Sequence, residues 1–142
     1  YQLFGHIFIT HKGHEISGIG IFDMETRAGD KRLIGNIVIE TQWGETVGYE
    51  NHSGQTFLAP GQEPFGKVQK GAGNNGKDLS EGAIVNNVFG SYLHGPLLPK
   101  NPHIADELIR RALMRKYGDD EIASLNDTLA IEAADSASKR PR

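Results

Sequence analysis

The sequence predicts an α/β domain with a β-rich middle and C-terminal helices, laid out as the later part of a fold whose opening βαβ units precede Tyr1. Three observations carry that reading. Short β-branched runs broken by glycine turns fill residues 16–92, an amphipathic helical pattern opens at Pro102, and the chain starts inside an apolar segment, Tyr1-Gln2-Leu3-Phe4-Gly5, without an initiator methionine. Strands followed by helices also suit an α+β domain, and the abrupt start favours the first alternative. Tag removal or proteolytic maturation would produce the same start.

Residues 1–9 are apolar and end at His11-Lys12-Gly13, too short a run for periodicity to separate helix from strand. Ile16 to Phe22 alternates β-branched residues with glycine, which predicts a strand in close contact with other backbone. Leu33 to Thr41 is the clearest strand, and Val47 to Asn51 is expected to pair with it. Phe57-Leu58, Gly66-Lys67-Val68 and Ala83 to Tyr92 supply further short strands, with an exposed hairpin loop expected over Gly71 to Gly76.

From Pro102 to Tyr117-Gly118, Ile104, Leu108, Ile109, Leu113 and Met114 recur at helical spacing, which predicts a helix burying that face. Asp119 to Ala134 reads as a second helix. Residues 1–135 then form part of a single domain, and 136–142 a polar tail expected to fray.

The chain has 142 residues, 37% hydrophobic and 23% charged, enough for one domain with a core and too few for two. The net charge is −3 and the 15 basic residues are scattered, so the electrostatic footprint of a nucleic-acid binder is absent. Having no cysteine, these residues cannot form a disulfide, a thiolate zinc site or a thiol nucleophile. No apolar run reaches the ~18 residues that span a bilayer, and the chain reads as cytosolic.

His94, in Gly90-Ser91-Tyr92-Leu93-His94-Gly95-Pro96, stands where an apolar strand ends, the place where α/β folds present functional side chains. An imidazole, with an unperturbed pKa of ~6.5, can act there as a general base; it can equally cap the turn. Glu50 and His52 share one face if their segment is a strand, so the carboxylate could orient the imidazole. Ser53 lacks a Gly-x-Ser-x-Gly elbow and argues weakly for a serine triad. Arg32 could present a fork of donors to a substrate carboxylate, or simply solvate the start of a strand. His6, His11, His14 and His103 raise a metal site, but no His-Glu-x-x-His helix accompanies them, and surface histidines are the simpler reading. Gly71 to Asp78 lacks the Gly-Lys-Ser/Thr ending of a phosphate loop.

The run Tyr92-Leu93-His94-Gly95-Pro96-Leu97-Leu98-Pro99-Lys100-Asn101-Pro102, followed by Ala105-Asp106, resembles the histidine motif of the glutamine amidotransferase subunits (GatD type) of lipid II isoglutaminyl synthases. Tyr1 to Gly5, Gly18 to Asp23, Arg32 to Ile37 and Gly48 to Thr56 are similar to the same family in the same order, so the resemblance covers roughly residues 1–115. It implies a class I glutamine amidotransferase (flavodoxin-like) domain of the cobyric-acid-synthase-like branch, here lacking its N-terminal βαβ part. In that family an elbow cysteine attacks the glutamine carboxamide, forms a thioester and releases ammonia with the help of a histidine. The resemblance makes His94 that general base and Arg32 the substrate-binding residue, with Glu50 and His52 shaping the site and no metal.

The family's Cys-Gly-Gly-Tyr-Gln elbow aligns its Tyr-Gln with Tyr1-Gln2, which puts the nucleophile just before this sequence and implies that these residues alone do not hydrolyse glutamine. Where many relatives carry a glutamate two places after the histidine, Pro96 stands here. Either a Cys-His dyad suffices or an acid from elsewhere, such as the partner, completes the site.

The resemblance further implies a Mur-ligase-like partner (MurT type) that uses ATP and Mg to activate D-glutamate of the lipid II stem peptide, forming D-isoglutamine in peptidoglycan synthesis at the inner face of the membrane. No cofactor is expected in this subunit. The alternatives are the amidotransferase domain of corrinoid amidation, whose histidine motif lacks the Pro-Leu-Leu-Pro-Lys-Asn-Pro continuation, and a non-catalytic binding module of the same fold. The residue three places before Tyr1 separates enzyme from module.

Overall fold

A long two-stranded ribbon organises the molecule, for which a computed structural model describes residues 1–141. The strands β3 (Met24–Thr41) and β4 (Gly44–Leu58) run antiparallel from Thr41↔Gly44 to Met24↔Leu58. Their turn, Gln42-Trp43, is closed by the Thr41 hydroxyl, which donates to the Gly44 carbonyl at 2.8 Å while accepting the Trp43 N–H at 3.2 Å. The predicted strands at 33–41, 47–51 and 57–58 are thus parts of one ribbon. Its register breaks once: Ala28 pairs with Gly54 and Leu33 with His52, so residues 29–32 bulge opposite Ser53.

Other strands add to both edges. Next to β3 lies β1 (Ile7–Ile9), the parallel partner of residues 25–27, and β1 also pairs with β2 (Glu15–Ser17). The far end of β3 pairs with β5 (Gly66–Lys70), which carries β6 (Ser80–Glu81). A separate hairpin, β7 (Ala83–Val85) and β8 (Val88–Gly90), turns at Asn86, whose φ of 53° is left-handed. On the free edge of β4 sits β9 (Leu93–His94). The result is a mixed sheet, its one parallel pair among the described residues being β1 with β3.

Only the opening of the segment 16–22 is a strand. From Gly18 the chain folds back on the first turn, with the Gly18, Ile19, Gly20 and Ile21 N–H groups donating to carbonyls of His6, Leu3, Gly5 and Phe4. The predicted close backbone contact is present: a Cβ on Gly18 would lie 2.0 Å from the Gly5 oxygen. The extended geometry is lost because Gly20 turns the chain at φ 67°.

Three helices follow: α1 (Leu97–Lys100), α2 (Pro102–Tyr117) and α3 (Thr128–Ser138). Pro102 starts α2, where the missing N–H costs nothing, and left-handed Gly118 ends it with its N–H on the Met114 carbonyl. Its apolar face is buried only near its start: Ile104 and Leu108 join the core with Ile37, Ile39, Phe65, Val68, Ile84 and Leu93, while Ile109 and Met114 are exposed.

The second helix is displaced from 119–134 to 128–138. Asp119 accepts the Glu121 N–H and Asn126 accepts both the N–H and the hydroxyl of Thr128, local bonds that compete with helix until Thr128. Nor does the end fray at 136. Ala137 is buried against Val38 and Val47, and the Lys70 ammonium holds the Ser138 and Arg140 carbonyls. Neighbouring residues of β3 thus bury opposite ways, Ile37 and Ile39 toward the α2 side and Val38 toward α3.

Candidate active site

β9 brings His94 to the sheet edge, with Tyr49 opposite it and Glu50 opposite Leu93. The imidazole is exposed, and the turn beyond it runs through Gly95 at φ 67°. Immediately inward, Tyr92 is 5% exposed and its ring stacks on His52, 3.5 Å between centroids and 4° from parallel.

His52 Nδ1 lies 2.7 Å from the Gly54 carbonyl, which can only accept, so the proton sits on Nδ1. Nε2 is left as a buried atom with no hydrogen-bond partner among the described residues. Burial lowers the His52 pKa, backbone carbonyls of Gly54 and Gly73 oppose that, and the neighbouring His94 and Arg32 lower it further. Two of the predicted site residues, His94 and Arg32, therefore both act on the third, His52. Arg32 arrives through the bulge in β3, exposed, its Nε donating to Asn51 Oδ1.

Glu50 is placed differently from its expected pairing with His52. Fully buried, its carboxylate accepts the Ala72 N–H at 2.9 Å and the Gly73 N–H at 2.9 Å. The two side chains do share a face, yet Glu50 reaches the glycine loop and His52 reaches Gly54. This also corrects the exposed loop expected at 71–76: residues 72–75 are buried, because Glu50 draws in the backbone and Asn74 and Asn75 bond inward to Gly82 and Thr56 carbonyls. Ser53 is exposed, on the face opposite buried His52.

The first two residues close the site from behind. Tyr1 donates its hydroxyl to Asn74 Oδ1 at 3.0 Å, its ring meets Tyr92 edge-on at 4.9 Å, and Gln2 Nε2 donates to the Tyr92 hydroxyl at 3.0 Å. That hydroxyl lies 2.7 Å from Thr56 Oγ1, itself 2.8 Å from Thr26 Oγ1, a line of buried hydroxyls behind the stack. Burial, chiefly, keeps both phenols neutral by raising their pKa.

Elsewhere, His6 contacts Asp23 at 3.1 Å, His11 lies 3.7 Å from Asp30, and His103 Nε2 is 3.2 Å from the Thr46 hydroxyl. No group of three metal-ligating side chains assembles among the described residues.

Sequence reasoning missed Glu81 and Asn101, both fully or nearly fully buried. Asn101 accepts the Val47 N–H and donates to the Val47 and Leu97 carbonyls, clamping the chain after His94 to β4. Glu81 accepts the Tyr92 N–H and the Ser91 hydroxyl. No local signal marked Glu81, because the partners that hold it inside, Ser91 and Tyr92, lie ten and eleven residues away.

Residues 1–102 match the CobB/CobQ-like glutamine amidotransferase domain. The chain belongs to that family. Within it, the chain is 40% identical over 139 residues to the lipid II isoglutaminyl synthase (glutamine-hydrolyzing) subunit GatD of Streptococcus pneumoniae, covering 95% of this chain and 54% of that protein. The corresponding GatD of Staphylococcus aureus is 42% identical over 134 residues, 94% of this chain and 54% of that protein. A protein described as a probable cobyric acid synthase of Methanosphaera stadtmanae is 37% identical over 110 residues, 67% of this chain and 22% of that protein. The chain spans about half the length of the GatD proteins it matches. As a CobB/CobQ-like amidotransferase chain, it has no helix among the described residues long and apolar enough to cross a membrane.

Proposed function

We propose that these residues are the histidine-bearing part of a class I glutaminase subunit that supplies ammonia for amidating lipid II. The observation that carries the reading is the meeting of Tyr1-Gln2 with Tyr92, two residues before His94. By family resemblance the nucleophilic cysteine lies three residues before Tyr1, and the contact of Tyr1-Gln2 with the segment leading into His94 supports a site that joins the two.

The chemistry follows from those groups. The cysteine thiol transfers its proton to His94 and the thiolate attacks the glutamine carboxamide carbon. As the tetrahedral intermediate collapses, the His94 imidazolium gives its proton to the departing nitrogen, releasing ammonia and leaving a glutamyl thioester. His94 then takes a proton from water, whose hydroxide attacks the thioester, and returns it to the thiolate as glutamate leaves. Without the preceding cysteine the 142 residues carry no nucleophile for this sequence. Arg32, exposed beside His52, is suited to hold the glutamine α-carboxylate. Pro96 leaves the orientation of His94 to a dyad or to an acid from the partner.

The names of the two GatD relatives support lipid II as the eventual acceptor, reached through a Mur-ligase-like partner (MurT type) that spends ATP with Mg in the cytoplasm. The more distant similarity to a cobyric acid synthase supports a second reading, corrinoid amidation. The test is ammonia release from glutamine by the full-length protein, wild type and His94→Ala, with and without the ligase partner. Activity lost in His94→Ala, with lipid II but not a corrinoid acid amidated, supports the proposal. An intact wild-type protein with its partner and no ammonia release would sink it.

A further inference from the structure

Residues 91–93, the approach to His94, have little backbone support from the sheet, since β9 pairs with β4 only at Leu93 and His94. The Tyr92 ring and hydroxyl and the core packing of Leu93 anchor their side chains, while much of their remaining backbone support traces to one carboxylate. Glu81, 0% exposed on β6, accepts the Tyr92 N–H at 2.7 Å and the Ser91 hydroxyl at 2.8 Å, both through Oε1. The same Ser91 oxygen accepts the Leu93 N–H at 2.9 Å. One carboxylate oxygen therefore fixes, directly or through one hydroxyl, the two backbone N–H groups that precede His94. Its other oxygen, Oε2, is buried with no hydrogen-bond partner among the described residues.

A carboxylate is an expensive way to satisfy two donors. An apolar interior disfavours its charge, and an orphaned oxygen adds to that cost. What it gains over a neutral acceptor is strength, because bonds to an ionised oxygen are shorter and roughly twice as strong. We propose that Glu81 is a positioning residue for His94, holding residues 91–93 so that the imidazole meets the reacting atoms in one orientation. This rests on His94 acting in glutamine hydrolysis, as proposed above.

Burial, with a smaller contribution from Glu50, pushes the Glu81 carboxyl up to about 7, against the opposing pull of the Tyr92 and Gly82 N–H groups and the Ser91 hydroxyl. The titratable groups facing it are Glu50 on β4, Tyr1 at the chain start and Tyr92 itself. Both phenols have pKa values raised by burial and stay neutral, so they add no ionisation near neutrality. As pH falls through about 7, Glu81 gains a proton, accepts more weakly, and loosens its hold on residues 91–93.

The experiment compares wild type, Glu81→Gln and Glu81→Leu in the full-length protein with its ligase partner, reading kcat and KM for glutamine from pH 6 to 9. The His94 Cε1–H resonance is titrated alongside. Glu81→Leu should lower kcat by roughly a hundredfold with KM within about threefold, the scale of a misplaced catalytic group. Glu81→Gln, which keeps a neutral oxygen acceptor, should recover most of that loss and show one ionisation fewer in its pH profile. The wild-type His94 resonance should report a second inflection near neutrality that Glu81→Gln lacks.

Wild-type kcat in Glu81→Leu, or a His94 titration identical in wild type and Glu81→Gln, would overturn the proposal. If Glu81→Leu does not fold, the Glu81→Gln profile and resonance decide it. An inactive wild type would overturn the glutaminase reading instead, and the resonance titration would still decide whether Glu81 governs His94.

Discussion

His52 and Tyr92 form a face-to-face pair, ring centroids 3.5 Å apart, that joins the centre of β4 to the residues leading into His94. The pair persists only while His52 is neutral without strain, because burial lowers its pKa from the ordinary 6.5. The unfolded chain binds that proton more readily than the folded one. The stability contributed by neutral His52 is therefore complete above about 6.5 and is lost as pH falls through the lower folded value. His52→Phe keeps a stacking ring and removes the ionisation, so its urea midpoint should fall less between pH 7.5 and 5 than that of wild type. His52→Ala should cost about 1–3 kcal/mol at pH 7.5 and less at pH 5. An equal acid sensitivity in wild type and His52→Phe would contradict this account.

Arg32→Lys retains the charge and gives up the planar fork. Because Arg32 is exposed, its stability should stay within about 0.5 kcal/mol of wild type. If Arg32 binds the glutamine carboxylate equally in ground and transition states, KM should rise by about tenfold or more while kcat is little changed. A fall in kcat at constant KM would assign Arg32 to the chemical step.

Asn101→Ala strips partners from the Val47 N–H and carbonyl, both beside a buried side chain. The expected loss is about 2–4 kcal/mol, from two backbone groups left unsatisfied. Urea unfolding followed by Trp43 fluorescence measures it, and a loss below ~1 kcal/mol would mean that water replaces the amide.

Gly48→Ala tests the seat of β9. A Cβ at Gly48 would stand 2.7 Å from Leu93 Cγ, and Leu93 is itself packed in the core. Leu93 must shift, taking His94 with it. Overpacking of this kind costs about 1–3 kcal/mol, and glutamine hydrolysis by the full-length protein should fall further than that of a surface control of equal stability.

The parts of this molecule governed by local pattern were legible in its sequence. Leu33 to Thr41 could be read as a strand from its β-branched run, and α2 could be bounded by Pro102 and Gly118 because start and stop signals act within a turn of themselves. Of the residues the sequence singled out, His94 and Arg32 both lie close enough to His52 to act on its ionisation. What escaped was decided at a distance. Whether Gly71 to Gly76 is exposed depends on Glu50 lying beneath it, and the burial of Ala137 depends on Val38 and Val47. Met114 carries the right spacing for a buried face and remains exposed, since periodicity marks a face without supplying a neighbour to cover it.

The bond from Gln2 to Tyr92 joins residues 90 apart in sequence, and that from Tyr1 to Asn74 joins residues 73 apart. Contacts of such separation close large loops before they return any stabilisation, which slows folding relative to a chain of local contacts. During synthesis the β3–β4 ribbon leaves the ribosome before β9 exists, so the edge of β4 that later receives His94 is for a time an open, unpaired strand. His94 is thus placed among the last acts of assembly, and the edge that receives it is where an unfinished chain is most exposed to pairing with another.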